Sequence, residues 1–419
     1  MGRKPPRLSS HPALGRYNHC MRIAALLFGL IFCASTLIDA FQTIILPRRP
    51  VGRFRVTKLF YVATWRPWGA IARHARNPKV REQLYSIYGP ASLLLLLALW
   101  ALLLVTGYAC LFFAMSTPFT DPLLGHSTVA HFRTDFYVSG TTLFTLGLGD
   151  VVPYALAPRA LITVESANGL GLIALVIGYV PVLYGAFSHR EISVALLDAR
   201  AGSPPTASEL IRRHAFDGGQ DTLAQLLAEW ERWAAEILES HISYPILCYY
   251  RSQHDNQSWL SALTCILDTC ALLISIVPGT ASRQAQLTFA VGRHALVDLC
   301  HVFHLEQVEA AWRASGGPHR LPAEQFTQVC DFMLQANLRL CGDPQAPARL
   351  HALRALYEPS AQALADYIAM PLPDWYPKPL AKDQWKTVEA VRSQAVASLI
   401  PESTISPNAV AAQLHTEHH

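Results

Sequence analysis

Three long runs of apolar residues with few charged positions lie in the first half of the chain, at 23–46, 90–115 and 163–187. Each run is longer than the roughly 20 residues that an α-helix needs to cross a hydrocarbon core about 30 Å thick. The pattern therefore predicts an all-α membrane protein with three spanning helices, which we term transmembrane helix 1, the outer helix and the inner helix. For 23–46 one alternative stays open, a helix that lies in the membrane interface without crossing it.

The second half of the chain changes to the period of amphipathic helices. Over 221–240 the apolar side chains recur at three- and four-residue intervals, and similar stretches follow without strand-like alternation. These patterns predict a linker over 188–205, an all-α cytosolic domain over 206–398 and a disordered tail over 399–419.

Two details of the predicted domain concern its helices. Thr206 and Glu209 have the spacing of a capping box, in which each side chain bonds the other residue's backbone amide at a helix start. The apolar stretch 259–277 is nearly long enough to cross a membrane, but it contains Asp268. A buried core helix therefore fits this stretch better than a fourth span.

The composition agrees with a membrane part joined to a soluble part. Charged residues make up 15% of the chain and apolar residues 51%, whereas soluble proteins contain about 25% charged residues. The nine cysteines include no CxxC pair, so neither a disulfide framework nor a zinc knuckle is indicated. No catalytic set of residues is recognisable, and no enzyme activity is predicted.

Basic residues are concentrated in two segments, 1–22 and 47–89. The second holds ten Lys and Arg residues against the single acid Glu82, so the positive-inside rule places it in the cytoplasm, with 1–22 outside and the C-terminal domain inside. Its cations are interleaved with aromatic residues over 48–81, which predicts an amphipathic surface that contacts anionic lipid headgroups of the cell membrane. Nucleic acid is excluded as a partner because the segment lies between two spans.

Between the outer and inner helices lies a polar stretch, Phe136–Pro153, that is too short to cross a membrane. Residues 136–145 are rich in hydroxyl groups and predict a short pore helix. They lead into Thr145–Asp150, where Gly147 and Gly149 allow the positive φ angles at which successive carbonyls point the same way. Such a loop is stable at membrane depth only where protein buries it or where it lines a water-filled path.

These residues resemble the pore loop of potassium channels, whose usual filter reads Thr-Val-Gly-Tyr-Gly-Asp, and the resemblance extends over about residues 90–187. It implies a pore module within a homotetramer that conducts K⁺ passively, with K⁺ as the transported ion and with no cofactor. It also implies that the filter is formed by Thr145, Leu146, Gly147, Leu148, Gly149 and Asp150.

Five further residues are assigned roles from their place around that filter. Thr141 and Thr142 on the pore helix and Glu165 on the inner helix are expected to support the filter, Glu165 by a hydrogen bond to the pore helix from behind. Gly169 falls where bacterial two-helix potassium channels carry a hinge glycine, and Pro181 removes a helix hydrogen bond near the inner end. Both are candidate gating hinges.

Two positions of the filter depart from the potassium-channel pattern and keep alternatives open. Leu146 replaces Val, and Leu148 replaces a Tyr whose hydroxyl ties the filter to pore-helix aromatics in that family. A weakly selective cation channel is therefore the first alternative to a potassium-selective one. The second is a membrane-tethered helical sensor or enzyme on a pore scaffold that does not conduct.

In the C-terminal domain, His294, Asp298 and His301 lie on one helical face at spacings that metal ligands use, and they are weak metal candidates. Histidines on helices show such spacing by chance more often, so no bound metal is predicted. No residue pattern identifies a soluble ligand of this domain.

Overall fold

The computed structural model describes residues 12–46, 55–116, 119–120, 132–253, 256–315 and 320–377. The predicted tail at 399–419 and the basic residues at 1–11 and 47–54 lie outside these ranges. The described chain divides into two compact units. The first unit contains the residues up to Ala186 together with Ser243–Tyr250, and the second contains Phe187–Ile242 and the residues from Arg251 onward.

The first unit is built from helices and one short pair of strands. Its elements in chain order are α1 (Pro12–Ala40), a π-helical turn (Phe41–Ile45), α2 (Val56–His74), α3 (Pro78–Ala114), β1 (Phe119–Thr120), α4 (Phe132–Leu143), β2 (Val152–Pro153), α5 (Leu156–Ala201) as far as Ala186, and a 3₁₀ turn (Pro245–Tyr249). The strands β1 and β2 pair antiparallel, with Phe119 opposite Pro153 and Thr120 opposite Val152.

Helices α1 and α3 run antiparallel along each other. At one end Arg22 Nε donates to the Ala114 carbonyl oxygen at 3.1 Å, and at the other Trp100 Nε1 donates to Asp39 Oδ2 at 3.0 Å. Because α1 follows α3 over this length, the contacts favour a spanning helix over an interfacial one for 23–46.

Small residues bring these two helices together. A Cβ added to Gly29 would lie 2.8 Å from the Gly107 carbonyl oxygen, and a Cβ added to Gly107 would lie 2.7 Å from Cys33 Sγ. Close backbone approach through small residues is typical of helix pairs inside membranes, where packing replaces the hydrophobic effect as the source of association.

The predicted fold class, an all-α membrane protein, is confirmed. Among the described residues three helices are long and apolar enough to cross a membrane, at His19–Ile45, Pro78–Ala114 and Leu156–Ala201. The outer helix differs from its predicted start at residue 90, because Asn77 caps an earlier start by accepting from the Lys79 amide at 2.9 Å and the helix then continues through Pro90.

The linker predicted over 188–205 is wrong for most of its length, because α5 continues as one helix to Ala201. No glycine or proline interrupts 186–201, and Leu197 is buried, so both helix propensity and packing favour the helix there. The chain turns only at Gly202, whose φ of +86° lies in the left-handed region.

The second unit contains the part of α5 from Phe187 onward and eight further helices among its described residues. These helices are α6 (Ala207–Arg213), α7 (Gly219–Ser243), α8 (Trp259–Ser275), α9 (Ser282–Val302), α10 (Glu306–Ala314), α11 (Ala323–Gln335), α12 (Ala346–Arg354) and α13 (Glu358–Ile368). Every residue of α8 except Ile274 is buried, which confirms the prediction of a core helix within 259–277.

The predicted capping box at the start of α6 is wrong. The Thr206 side chain makes no capping hydrogen bond. Glu209 instead accepts from Arg212 Nε at 2.6 Å and Arg213 Nε at 2.7 Å, since bonds between charged partners are stronger than a neutral cap. Burial alone would raise the pKa of Glu209, but the two guanidinium groups outweigh it and hold that pKa below its ordinary value.

A buried group of charged side chains joins α8 to the later helices. Arg320 donates to Asp268 at 2.7 Å and to Glu358 at 3.2 Å, and Arg354 donates to Glu358 at 3.1 Å. Tyr357 also donates to Asp268. Burial alone would lower the pKa of Arg320, but the two carboxylates raise it above its ordinary value. Two cations balance two anions, which explains how Asp268 is tolerated in an apolar helix.

Candidate functional site

Helix α4 is short and ends inside the first unit. Its 12 residues span about 18 Å, less than the thickness of a membrane core. Val138 and Leu143 are buried in a core that includes Leu104 of α3. The pore helix predicted over 136–145 corresponds to α4, with an earlier start at Phe132.

The loop after α4 is tied to the last turn of that helix by main-chain hydrogen bonds. The Thr141 carbonyl accepts from the amides of Leu146 at 2.8 Å and Gly147 at 3.3 Å, and the Thr142 carbonyl accepts from Thr145 at 3.0 Å. These bonds satisfy carbonyls that a helix end otherwise leaves free. Thr141 and Thr142 therefore contact the loop through their main chain, and their role as filter support stays a prediction.

Every second residue of the loop has a left-handed backbone. The φ angles are +58° at Thr145, +53° at Gly147 and +75° at Gly149, while Leu146 and Leu148 between them are not left-handed. This alternation turns successive peptide planes so that their carbonyls can face one side. The sequence indicated the two glycines, but a β-branched Thr145 in this region has no sequence signal.

The end of the loop after Gly149 is fixed by contacts that the sequence did not indicate. Tyr137 of α4 donates its hydroxyl to Asp150 Oδ2 at 2.8 Å, and Arg159 Nε donates to the Pro153 carbonyl at 3.0 Å. Leu148 has no hydroxyl to tie the loop to α4. Here the hydroxyl lies on the helix instead, because Tyr137 of α4 donates to Asp150 of the loop.

Glu165 of α5 lies buried behind α4. The Ser139 hydroxyl is hydrogen-bonded to the Glu165 carboxyl and lies 2.9 Å from the Val105 carbonyl oxygen of α3. A hydroxyl carries one hydrogen, so Ser139 can donate to Val105 only while a protonated Glu165 donates to Ser139. This is the position expected for Glu165, and its functional role stays a prediction.

Gly169 of α5 packs directly against the end of α4. A Cβ at this position would lie 1.9 Å from the Leu143 carbonyl oxygen, so only glycine fits there without moving the backbone. Pro181 lies inside the continuous helix α5 and does not end it. Gly169 thus has a packing role in this structure, and gating by Gly169 or Pro181 stays a prediction.

The three weak metal candidates lie together on α9. His294 Nε2 lies 3.5 Å from one Asp298 carboxylate oxygen, and His301 Nδ1 lies 3.8 Å from the other. Both imidazoles are about half exposed. In the described part of the chain, no group of three or more His, Cys, Asp and Glu side chains could hold a metal ion.

Comparison with known proteins supports a channel pore at the site around α4. Residues 95–183 match a family model described as an ion channel, which covers the apolar part of α3, α4, the loop and α5 as far as Leu183. The chain is 24% identical over 236 residues to a Bacillus subtilis (strain 168) protein described as the uncharacterized membrane protein YdjJ, covering 56% of this chain and 67% of the relative. No solved structure matches. The predicted resemblance to a channel pore region is confirmed.

Proposed function

We propose that this membrane protein, whose residues 95–183 form an ion-channel pore region, is a potassium-selective homotetrameric channel with Thr145–Asp150 as its filter. K⁺ crosses down its electrochemical gradient, with no chemical step and no cofactor. The observation that carries the proposal is the alternation of left-handed residues at Thr145, Gly147 and Gly149, directly after a helix too short to span.

The loop geometry suits the removal of water from a cation. Carbonyls of Thr145, Leu146, Gly147 and Leu148, with the Thr145 hydroxyl, replace the hydration shell of K⁺ as in the filters that the loop resembles. The carboxyl end of α4 carries partial negative charge, which favours a cation beside it. Gly149 lets the chain turn outward to Asp150.

Large exposed apolar side chains support assembly from several copies. Leu146 and Leu148 of the loop are 62% and 63% exposed in the single chain, and Ile177 of α5 is 69% exposed. One loop cannot enclose an ion, whereas four loops around an axis can form a closed ring of carbonyls. Partner loops and helices would then cover these side chains.

Ion flux into liposomes tests the proposal. Purified tetramer should admit K⁺ at least about tenfold faster than Na⁺, since a filter of backbone carbonyls discriminates between the two ions. Equal rates would favour the weakly selective channel, in which Leu148 leaves the filter less rigid. No flux of either ion from folded tetramers would favour a scaffold that does not conduct.

The described part of the basic segment supports a lipid-facing role on the cytoplasmic side. On α2, Leu59 and Val62 are 71% and 41% exposed, and the exposed cations Lys58 and Arg66 lie near them along the helix. Apolar side chains beside cations on one helix suit the inner membrane surface with its anionic headgroups.

Cysteine labelling in intact cells tests this orientation. Cys20 is exposed and is expected outside, whereas a cysteine at the exposed Ala63 is expected inside. A membrane-impermeant thiol reagent should label Cys20 but label an Ala63→Cys variant of a Cys20→Ser background only after the cells are opened. Labelling at residue 63 in closed cells would overturn the topology. Ala72 is fully buried and is unsuitable for this test.

We also propose that the helical second unit is cytoplasmic and regulates the pore. Its ligand chemistry is not indicated by the described residues, which form no metal group. Its position in the chain supports a regulatory role, because its first residues continue the inner helix α5 beyond Ala186. Movement of this part of α5 acts on the pore without any change in the filter itself.

A further inference from the structure

The 3₁₀ turn Pro245–Tyr249 lies in the first unit, although the chain on both sides of it belongs to the second. The chain leaves the second unit after Ile242, contributes Ser243–Tyr250 to the first unit and returns at Arg251. Residues 246–249 are all buried, and Pro245 opens the turn. The segment Ser243–Tyr250 is therefore held in the first unit by packing and is not a free loop.

Tyr249 is the centre of an aromatic cluster in the first unit. Its ring stacks on Tyr61 of α2 with centroids 5.6 Å apart and an angle of 6°. It also contacts Trp65 of α2 at 4.9 Å and Tyr88 of α3 at 5.3 Å. Offset and edge-to-face geometries of this kind are the favourable ones for aromatic rings. Tyr249 thus joins the basic helix to the start of the outer helix.

The same segment contacts the inner helix. The Tyr244 ring packs edge to face on Tyr179 of α5, with centroids 5.6 Å apart, and Tyr179 lies two residues before Pro181. Tyr250 fits against Gly89 of α3, where an added Cβ would lie 2.8 Å from the Tyr250 ring. One short segment therefore touches α2, α3 and the inner helix.

Both flanks of the segment are anchored within the second unit. On one side the buried His241 Nε2 accepts from Arg190 at 3.2 Å, and burial together with Arg190 lowers the pKa of His241, so the ring stays neutral and can accept. On the other side Arg251 donates to the carbonyls of Ile368 at 2.8 Å and Ala369 at 2.9 Å.

We propose that Ser243–Tyr250 is the coupling segment through which the second unit acts on the conducting helices, with Tyr249 as its anchor on α2 and α3 and Tyr244 as its contact with α5. A short buried segment held on both flanks cannot absorb movement as a long loop does, so movement of the flanks displaces the aromatic cluster. This inference rests on the proposed regulation of the channel.

Single-channel recording of the full-length tetramer in planar bilayers tests the coupling. Tyr249→Ala and Tyr244→Ala should each change the open probability by about fivefold or more, the lower end of the range for coupled sites. Tyr249→Phe keeps the ring and should stay within about twofold of the wild type. The K⁺/Na⁺ ratio should be unchanged in all three, because the filter is not touched.

A second pair of variants approaches the segment from α3. Gly89→Ala places a methyl group against Tyr250 and should change the open probability in the same direction as Tyr249→Ala. Gly69→Ala on α2 is its matched control, because the nearest atom to its added Cβ is a flexible Arg73 nitrogen at 3.7 Å. Tyr376→Ala makes the same chemical change as Tyr249→Ala within the second unit, and it controls for the loss of a tyrosine ring as such.

The outcomes separate the coupling segment from regulation as such. Trp230→Ala perturbs the core of the second unit and serves as the reference. If Trp230→Ala alters the open probability while Tyr244→Ala, Tyr249→Ala and Gly89→Ala do not, the coupling role is overturned and regulation stands. If all four match the wild type, regulation by the second unit fails and the coupling role fails with it. If Tyr249→Ala does not assemble, Tyr244→Ala and Gly89→Ala decide by the same criterion.

Discussion

Helices α5 and α8 are both rich in apolar residues, yet their side chains have opposite surroundings. In α5, Leu170 and Ile177 are 63% and 69% exposed within the chain, whereas Trp259 and Leu267 of α8 are fully buried. The charged residue of α8, Asp268, is paired with a buried arginine. Apolar content therefore does not distinguish a membrane span from a core helix, while length does.

The two units also differ in the kind of contact that their key residues make. Around the loop of the first unit the critical contacts involve backbone: left-handed glycines in the loop and the approach of Gly169 to the Leu143 carbonyl. In the second unit they involve large or charged side chains, such as the edge-to-face pair Trp230 and Trp233. If this contrast is right, glycine changes should impair conduction, and side-chain changes should impair stability.

The largest effect is expected at the filter. Gly147→Ala should abolish K⁺ flux, because a left-handed φ of +53° strains any residue with a Cβ and the ion path of the proposed filter is one ion wide. Flux into liposomes containing folded tetramer is the measurement. Gly342→Ala, whose added Cβ meets no atom within 4 Å, is the control. Ordinary flux from the Gly147→Ala tetramer would reject the filter assignment.

Gly169→Ala should reduce K⁺ flux more than tenfold and lower the melting temperature of the tetramer. The added methyl must displace the α4 backbone at Leu143, and such overpacking costs about 1–3 kcal/mol or more. Gly171→Ala, whose Cβ meets no described atom within 4 Å, should have neither effect. A hinge role alone would leave the melting temperature and the K⁺/Na⁺ ratio unchanged, and that result would contradict the packing role.

In the second unit, replacing Trp230 and Trp233 by Ala should destabilise the helical core by about 3–5 kcal/mol each. The indole rings are 4% and 3% exposed and lie 4.6 Å apart, so the two effects should not add. Denaturant unfolding followed by circular dichroism measures the loss. The K⁺/Na⁺ ratio should stay at the wild-type value, and a changed ratio would show that the second unit shapes the filter.

The smallest effect concerns the ion pairs at the start of α6. Arg212 and Arg213 hold the pKa of Glu209 below its ordinary value. Their ion pairs therefore stabilise the folded state fully above the pKa of about 4.3 that Glu209 has in the unfolded chain, and this stabilisation is lost as the pH falls through the pKa of Glu209 in the folded chain. Glu209→Gln should therefore be less stable than wild type by about 1–3 kcal/mol at pH 7.

Thermal unfolding between pH 7 and pH 3 should show that difference closing toward acid. Glu229→Gln is the matched control, since its carboxylate is 72% exposed and lies 3.9 Å from Arg200. A difference for Glu209→Gln that is the same at every pH would mean that shape and not charge sets the contribution of Glu209.

The sequence by itself determined the features that depend on local pattern. Long apolar runs with few charges indicated the spanning helices, a 3.6-residue period indicated the helical second unit, and Asp268 marked 259–277 as a core helix. Gly147 and Gly149 indicated a loop with left-handed residues, because glycine adopts left-handed φ without strain, and resemblance to potassium channels implied that this loop is a filter. Each of these inferences needs only the chemistry of residues that are neighbours in the chain.

Only the tertiary structure decided the contacts between distant parts of the chain. Thr206 and Glu209 were predicted to form a capping box, but Glu209 accepts hydrogen bonds from Arg212 and Arg213 instead. Gly169 had the position of a hinge, yet the Leu143 carbonyl occupies the space that a Cβ would need. No periodicity or motif in the sequence indicates that Ser243–Tyr250 packs in the first unit. The segment is held there by aromatic rings more than 150 positions away in the chain, such as Tyr61 and Tyr88.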